Sequence, residues 1–473
     1  MGRVLFIINL VFLVGTVFGQ EEDEHHNHVE KSTGAKHDGH EPEEIHNIKE
    51  LFSKGHIGGD VRYFFMDTYH PNQDENYYAN AIGGRLNYHT AEFKGFHIGM
   101  AGIFVYNVGS SEFPEDGGHL LSVYERELFD LTHIHNTNDL DRMEELFLQY
   151  RYKDSFVKYG KMDINTPLMN PRDTRMKPYV FRGFWGEFNQ VENLRVNAGW
   201  FDGASPRSST HWFHFNEALD LYGRGVSTAG VPTQDLPSYQ SNGVGILGLS
   251  YKINSNVTGQ FWWYYMDQIA HSMWYQAEVK QPISEKWNVV AGGIYLHQSP
   301  IGNNTEFNYY DAKQKTDLYS GKLGISSRQL EAYVSYTKVG NAGRFVFPLE
   351  FGRAKLYTLI PRIDQEGFGD MNTAVFGVTY KPSWLQDFKA FAAVGRVNAP
   401  DFNNAELNKY GIPSYNHFAF DAGYRFHKLF DGLDVHALYV YKNTTTIHSE
   451  LAEAHQDTFF EYHNFNLIAN IYF

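Results

Sequence analysis

The chain has 473 residues, no cysteine, and 55 acidic against 40 basic side chains, for a formal net charge of −15. This charge excludes a nucleic-acid binder, and the missing thiols exclude disulfide frameworks, thiolate metal centres, a cysteine nucleophile and a lipid-acylated N-terminus. Trp, Tyr and Phe together make up 16% of the residues, an unusual load of rings for a soluble enzyme of this length, but one that a single large β-barrel carries naturally.

The first nineteen residues read as a cleavable signal peptide: one positive charge at Arg3, an apolar run from Val4 to Phe18, and small Gly19 before Gln20. The apolar run is interrupted by Asn9, Gly15 and Thr16 and is too short to cross a bilayer as a helix, so the expectation is an exported chain processed near Gly19.

Residues 20–50 form an acidic, histidine-rich tail. Positions 21–50 hold ten Asp/Glu against three Lys, with His25, His26, His28, His37, His40 and His46 among them and little apolar surface to drive folding. Disorder is the expectation, with a periplasmic spacer as the plain role. Neutral imidazole beside carboxylate also suits loose capture of zinc, copper or nickel, although no fixed ligand spacing is present. No other cofactor is expected.

From residue 51 to 473 the dominant signal is alternation with a period of two. Leu146, Leu148, Tyr150 and Tyr152 oppose Glu145, Gln149 and Arg151, and Leu194, Val196, Ala198 and Trp200 oppose Arg195 and Asn197. Val257, Gly259, Phe261, Trp263 and Tyr265 share another apolar parity, and Phe418, Phe420, Ala422, Tyr424 and Phe426 a further one. Segments of about ten residues near 56–66, 79–89, 96–107, 143–152 and onward to 433–442 and 459–473 give eighteen strands, with sixteen as the alternative count. Short joints such as Lys153-Asp154 and Ser327-Arg328 alternate with long ones, notably 204–242 and 340–370. This asymmetry predicts an all-β fold: a transmembrane antiparallel up-and-down β-barrel of about eighteen strands, with short periplasmic turns, long extracellular loops and a disordered N-terminal tail.

Rings gathered at strand ends, among them Phe64, Phe65, Trp262, Trp263, Tyr264, Trp274, Tyr275 and Tyr462, read as the aromatic girdles that mark the two membrane interfaces. On the polar parity, Arg62, Arg85, Arg151, Arg195 and Arg425 stand with Glu145, Lys252, Lys322, Asp421, Asp434 and Lys442, and are expected to line a water-filled lumen. The chain ends on Phe465-Leu467-Ala469-Ile471-Phe473, an alternating strand with a terminal aromatic, similar to the strand that such barrels present to the barrel-assembly machinery.

The loop after the fifth strand is the most distinctive. From Asn165 to Pro178 it holds Pro167, Pro171 and Pro178 together with Arg172, Asp173, Arg175 and Lys177. If folded inward, it sets cations in the lumen. In a chain of eighteen expected strands ending in Phe, this segment resembles the constriction loop of the OprD-type substrate-specific outer-membrane porins. The resemblance implies a bacterial outer-membrane channel, embedded in the lipid bilayer, that passes small hydrophilic, carboxylate-bearing solutes through an eyelet formed by the third and seventh long loops. Carried onto this chain, it makes Arg172, Asp173 and Arg175 eyelet candidates. Arg344, Phe347, Pro348, Glu350, Arg353 and Tyr357 of the seventh loop follow by position.

A barrel hydrolase is the enzyme alternative, but Ser and His here fall into no spacing that predicts a triad. A metal-binding surface or uptake protein is the other, resting on the tail and on His133 and His135 ahead of Asp139, Asp141, Glu144 and Glu145. The fourth loop, with His211-Trp212-Phe213-His214, is long enough to cover a pore mouth or meet a partner.

Overall fold

A computed structural model describes residues 45–71, 76–113, 122–172, 175–235, 240–302, 314–445 and 461–473. The expected signal peptide, the tail histidines His25, His26, His28, His37 and His40, and Asp173 all lie outside the described residues.

Eighteen strands form one closed antiparallel sheet. They are β1 (His56–Tyr69), β2 (Tyr77–His89), β3 (Phe96–Asn107), β4 (Leu140–Tyr152), β5 (Ser155–Met162), β6 (Val180–Val191), β7 (Leu194–Ser205), β8 (Val244–Asn254) and β9 (Val257–Met266) in the first half. In the second are β10 (Ala270–Pro282), β11 (Asn288–Pro300), β12 (Thr316–Ser326), β13 (Leu330–Val339), β14 (Asn372–Tyr380), β15 (Phe388–Asn398), β16 (Tyr415–Arg425), β17 (Leu433–Thr444) and β18 (Tyr462–Tyr472). Each pairs with the next, and β1 closes on β18 from Asp60↔Tyr472 to Tyr69↔His463, so the sheet has no free edge. A two-residue strand, Phe213–His214, is an extra piece against the outer end of β7.

Turns at one end are tight. Lys153-Asp154 and Glu192-Asn193 are two-residue connections with Lys153 and Asn193 in the left-handed region that such hairpins need. The opposite end carries L2 (108–139), L3 (163–179), L4 (206–243), L7 (340–371) and L8 (399–414). One outer connection departs from the expected alternation of lengths, since β9 and β10 are joined by only Asp267, Gln268 and Ile269. Helix α1 (Ile48–Ser53) crosses the expected tail–barrel boundary at residue 50. Asn47 caps it by accepting the Glu50 N–H at 3.0 Å, while exposed His46 donates its backbone N–H to Glu50 at 3.0 Å.

Burial runs opposite to a soluble protein. Leu323, Val334, Phe376 and Val394 sit in register across β12–β15 and are half exposed on the outer wall. Their inward neighbours Ser335, Thr373 and Val375 are buried. The main hydrophobic core lies inside the barrel, where Leu168 and Met169 of L3, Phe215 of α3 (Phe215–Ala218) and Phe345, Phe347, Phe351 and Leu356 of L7 pack against the wall.

The rings therefore divide differently from the girdle expectation. Phe65, Trp263 and Tyr275 face outward, but Phe64, Trp262, Tyr264, Trp274 and Tyr462 are buried inside. Adjacent rings must take opposite faces of a strand, and the inward ones pack against loops or each other: Tyr264 meets Phe347 at 5.7 Å between centroids.

The outward face sets a stability test. Val334→Arg, at mid-strand on the outer wall, should destabilise the barrel by about 2–4 kcal/mol, read as a lowered urea midpoint in lipid vesicles. Lumen-facing Glu331→Gln, near the turn, should shift it far less.

Candidate functional site

Below the loop plug the lumen opens into a cavity of about 780 Å³. Its wall combines β1–β4 and β12–β18 with the inward tips of L3 and L7.

L3 enters the lumen because its own bonds fold it into a compact hook. Thr166 Oγ1 donates to the Met169 carbonyl at 2.8 Å, and Asn170 Nδ2 donates back to the Thr166 carbonyl at 3.1 Å. The hook docks on the wall through Tyr264, whose hydroxyl donates to Thr166 Oγ1 at 2.9 Å. L7 meets it across the barrel. Asn170 Nδ2 donates to the Arg353 carbonyl at 2.8 Å, the Asn170 N–H to the Phe351 carbonyl at 3.2 Å, and the Lys355 N–H to the Pro167 carbonyl at 3.0 Å. Gly352 makes the crossing possible. At φ 127° it holds a conformation that side-chain-bearing residues avoid, and a Cβ there would lie 2.5 Å from the Asn170 carbonyl oxygen.

The crossing brings Arg172, Arg175, Arg353 and Arg362 to the cavity. Arg62, Arg85 and Arg425 of the wall line it as well. Arg151 and Arg195 do not come to this cavity: Arg151 pairs with Glu92 at 3.2 Å and Arg195 with Glu187 at 3.6 Å, each near a short turn. In all, nine Lys/Arg and eight Asp/Glu line the cavity. Several of the acids are held by wall cations. Arg85 contacts Glu144 and Glu145 at 3.0 Å each, Lys322 contacts Glu331 at 2.5 Å, and Arg425 approaches Asp434 at 3.8 Å.

Arg172 and Arg175 have different surroundings. Arg175 is buried, pairs with Glu127 at 3.0 Å, and its carbonyl accepts from Arg62 at 2.6 Å. Arg172 is half-buried on the cavity, and its side chain has no ion-pair partner among the described residues. Of the L7 candidates, Arg353 and Tyr357 line the cavity, whereas Arg344, Phe347 and Glu350 are buried in the plug above it. Arg344 donates there to the Val226 carbonyl at 2.8 Å and the Ala405 carbonyl at 3.2 Å, binding L7 to L4 and L8.

Sequence alternation overlooks Arg142 and Glu144. A β-bulge where β3 meets β4 turns both Glu144 and Glu145 inward. Arg142 then reaches Glu144 at 2.7 Å and donates to the Pro178 and Pro206 carbonyls, fixing the bases of L3 and L4. Glu127 is the other omission. This buried carboxylate follows helix α2 (Val123–Arg126) and receives Arg175 at 3.0 Å, Arg207 at 2.9 Å and Arg224 at 3.3 Å, so one anion joins L2, L3 and L4. The cluster of His135, Asp139, Asp141, Glu144 and Glu145 does not form around His133. Glu144 and Glu145 serve the lumen, and Asp139 bonds to Asn136 through its backbone.

A second buried clasp joins L4, L7 and L8. Lys409 reaches Asp220 at 2.9 Å and Glu366 at 3.9 Å, and the Tyr410 hydroxyl donates to Glu366. Burial pushes the Glu366 carboxyl up to about 8, outweighing the attraction of Lys409, and burial reinforced by Asp220 pushes Glu350 up to about 7.

A model of the family "outer membrane porin, OprD family" matches residues 132–381, more than half of the chain. Among solved structures, the fold is similar to OpdK of Pseudomonas aeruginosa with vanillate, at a TM-score of 0.70 and 15% identity, covering 89% of this chain and 99% of that one. It is similar to Pseudomonas aeruginosa OccK9 (OpdG) at 0.71 and 13%, covering 89% and 100%, and to Acinetobacter baumannii OccAB2 at 0.69 and 13%, covering 90% and 99%. No curated protein sequence matches the chain.

Two outcomes follow from the clasps. Glu127→Ala removes the carboxylate that three guanidinium groups share, a change of the kind that costs about 3–5 kcal/mol. It should lower the unfolding midpoint and make the open-channel current noisier as L3 loosens. The raised Glu366 and Glu350 carboxyls bind protons more tightly in the fold than at their ordinary value near 4.5. Their contribution is complete below that value and is lost as pH rises through about 7 to 8. Heat-induced gel mobility shifts should come at lower temperature at pH 9 than at pH 5, and Glu366→Gln should reduce the difference.

Proposed function

The chain belongs to the OprD family of outer-membrane porins, and on that premise we propose that it is a passive channel for small hydrophilic solutes bearing a carboxylate. A porin of the bacterial outer membrane lets solutes pass down their gradients, so selectivity arises from what the narrowest part of the lumen favours. The reading rests on one observation: L3 and L7 lock together across the barrel and bring four guanidinium groups, those of Arg172, Arg175, Arg353 and Arg362, to one cavity.

Arginine suits this task. Its planar fork matches a carboxylate in bidentate fashion, and its charge persists at every physiological pH. A carboxylate arriving from outside would meet Arg172, which has no ion pair among the described residues, before the wall pairs of Arg85 and Arg425. The related OpdK structure, solved with vanillate, an aromatic carboxylate, fits the same solute chemistry. Arg62 and Arg85 line the lumen further toward the periplasmic mouth, where Glu144 and Glu145 balance Arg85 and where Asp60 and His56 also line the cavity. Arg175 supports the eyelet through Glu127.

Purified protein in planar bilayers should give ohmic steps, with a reversal potential in a salt gradient that reports anion preference. Arg172→Ala should shift that potential toward cations by several millivolts while leaving heat-modifiable mobility unchanged. Arg175→Ala should broaden the conductance distribution more than it changes selectivity. A cation preference that is strong in the parent and unaltered by Arg172→Ala would remove the carboxylate reading and leave a general porin.

A further inference from the structure

On the outer surface, away from the pore, L2 and L4 meet around three side chains of metal-binding type. The ligand atoms of Asp130, His133 and His211 all lie within 4.8 Å of one another. The two imidazoles are exposed and stacked, with centroids 4.4 Å apart at 29° between planes, whereas Asp130 is 2% exposed. We propose that this cluster is a binding site for a divalent transition-metal ion of the zinc, copper and nickel class, ligated by His133, His211 and Asp130 and closing L2 onto L4 at the channel's outer face.

Geometry carries the assignment. Tetrahedral coordination with bonds of about 2.0–2.1 Å places neighbouring ligand atoms about 3.4 Å apart. His211 Nδ1 and Asp130 Oδ2 are already separated by 3.5 Å. The remaining closure falls on His133, an exposed side chain free to turn toward the pair, and water completes the coordination. Imidazole nitrogen with a single carboxylate is a donor set that favours this class of metal over calcium or magnesium.

The carboxylate is built into place. Asp130 Oδ1 accepts from the Thr132 N–H at 2.8 Å and the Thr132 hydroxyl at 2.5 Å, and Oδ2 accepts from the Thr210 N–H at 2.9 Å and hydroxyl at 2.8 Å. Ser209 reaches Oδ2 only at 3.4 Å, and this weak contact is the one a cation replaces. Four short bonds from Thr132 of L2 and Thr210 of L4 thus fix the carboxylate beside the two imidazoles. Thr132 Oγ1 also lies 3.2 Å from His133 Nδ1. Since that hydroxyl donates to Asp130, the tautomer of His133 protonated at Nδ1 has an acceptor there and offers Nε2 to a metal. The two loops are joined here by backbone as well, the Leu131 N–H donating to the Ser208 carbonyl at 2.8 Å. A metal ion bridging His133 and His211 adds a second tie at the same point.

This proposal does not depend on which solute the pore passes. Zinc binding to full-length, chelator-treated protein in detergent, measured by equilibrium dialysis, tests it. The His133→Ala/His211→Ala double variant should bind one equivalent fewer than the parent at equal gel mobility, and zinc should protect L2 and L4 from protease in the parent only. A companion variant with His25, His26, His28, His37 and His40 changed to Ala should keep that equivalent and that protection. Equal stoichiometry in the parent and the double variant, or loss of the equivalent in the tail variant instead, would overturn the assignment.

Discussion

Closure of the sheet is the constraint from which the other features follow. Within hydrocarbon every backbone N–H and carbonyl must find a partner in the protein, and pairing β1 with β18 meets that demand without leaving an edge. The price is a strict alternation, in which each residue facing lipid is followed by one facing the lumen. Leu323, Val334 and Phe376 can then be apolar and exposed at once, and Asn464, Asn466 and Asn470 of β18 polar and buried. Those inward polar groups need partners, and the interior supplies them by depth. In the plug, wall side chains bond to loops, as Gln298 does by donating to the Val346 carbonyl and accepting its N–H. In the open cavity they bond to one another as ion pairs.

This alternation is also why so much of the barrel was legible in the sequence. A period of two reports directly on which face a residue occupies, and the eighteen expected segments coincide with eighteen strands within a few residues at each end. Legibility failed where the period breaks or where it says nothing about the opposite side. The bulge in β4 turns Glu144 and Glu145 the same way, which a rule of alternation cannot anticipate. Trp262 and Trp274 were placed correctly on strands but assigned to a membrane girdle. An inward ring and an interfacial ring have the same local pattern, and only the plug beside them distinguishes the two.

The site was legible in part, and the division is physical. Arg172 and Arg175 stood out because a Pro-rich loop carrying cations is unusual at a barrel mouth. The lock between Asn170 and Arg353 did not, since it joins residues 183 positions apart mostly through backbone groups, which leave no mark on residue type. Glu127 was missed for a related reason. A lone carboxylate in a short helical turn has no pattern of its own, and its importance comes from Arg175, Arg207 and Arg224, which three-dimensional folding delivers from two other loops. Asp130 and His211 are likewise separated by 81 positions and meet only when L4 lies over L2.

The same pairing logic decides how far a net charge of −15 can influence permeation. Ten of the acidic residues fall within positions 21–50, and others sit on outer loops, where screening over about 8 Å limits their reach at physiological salt. What acts on a solute in the cavity is the field of nearby groups, after subtraction of those that cancel one another. Arg85 is balanced by Glu144 and Glu145, whereas Arg175 is offset only in part, since Glu127 at 3.0 Å is shared with Arg207 and Arg224, so neither counts fully although both line the cavity. Arg172 faces no such subtraction among the described residues. Two arginines three positions apart in one loop thus have different surroundings: Arg175 is drawn into the contact that holds L3 against L2, and Arg172 is left on the cavity wall.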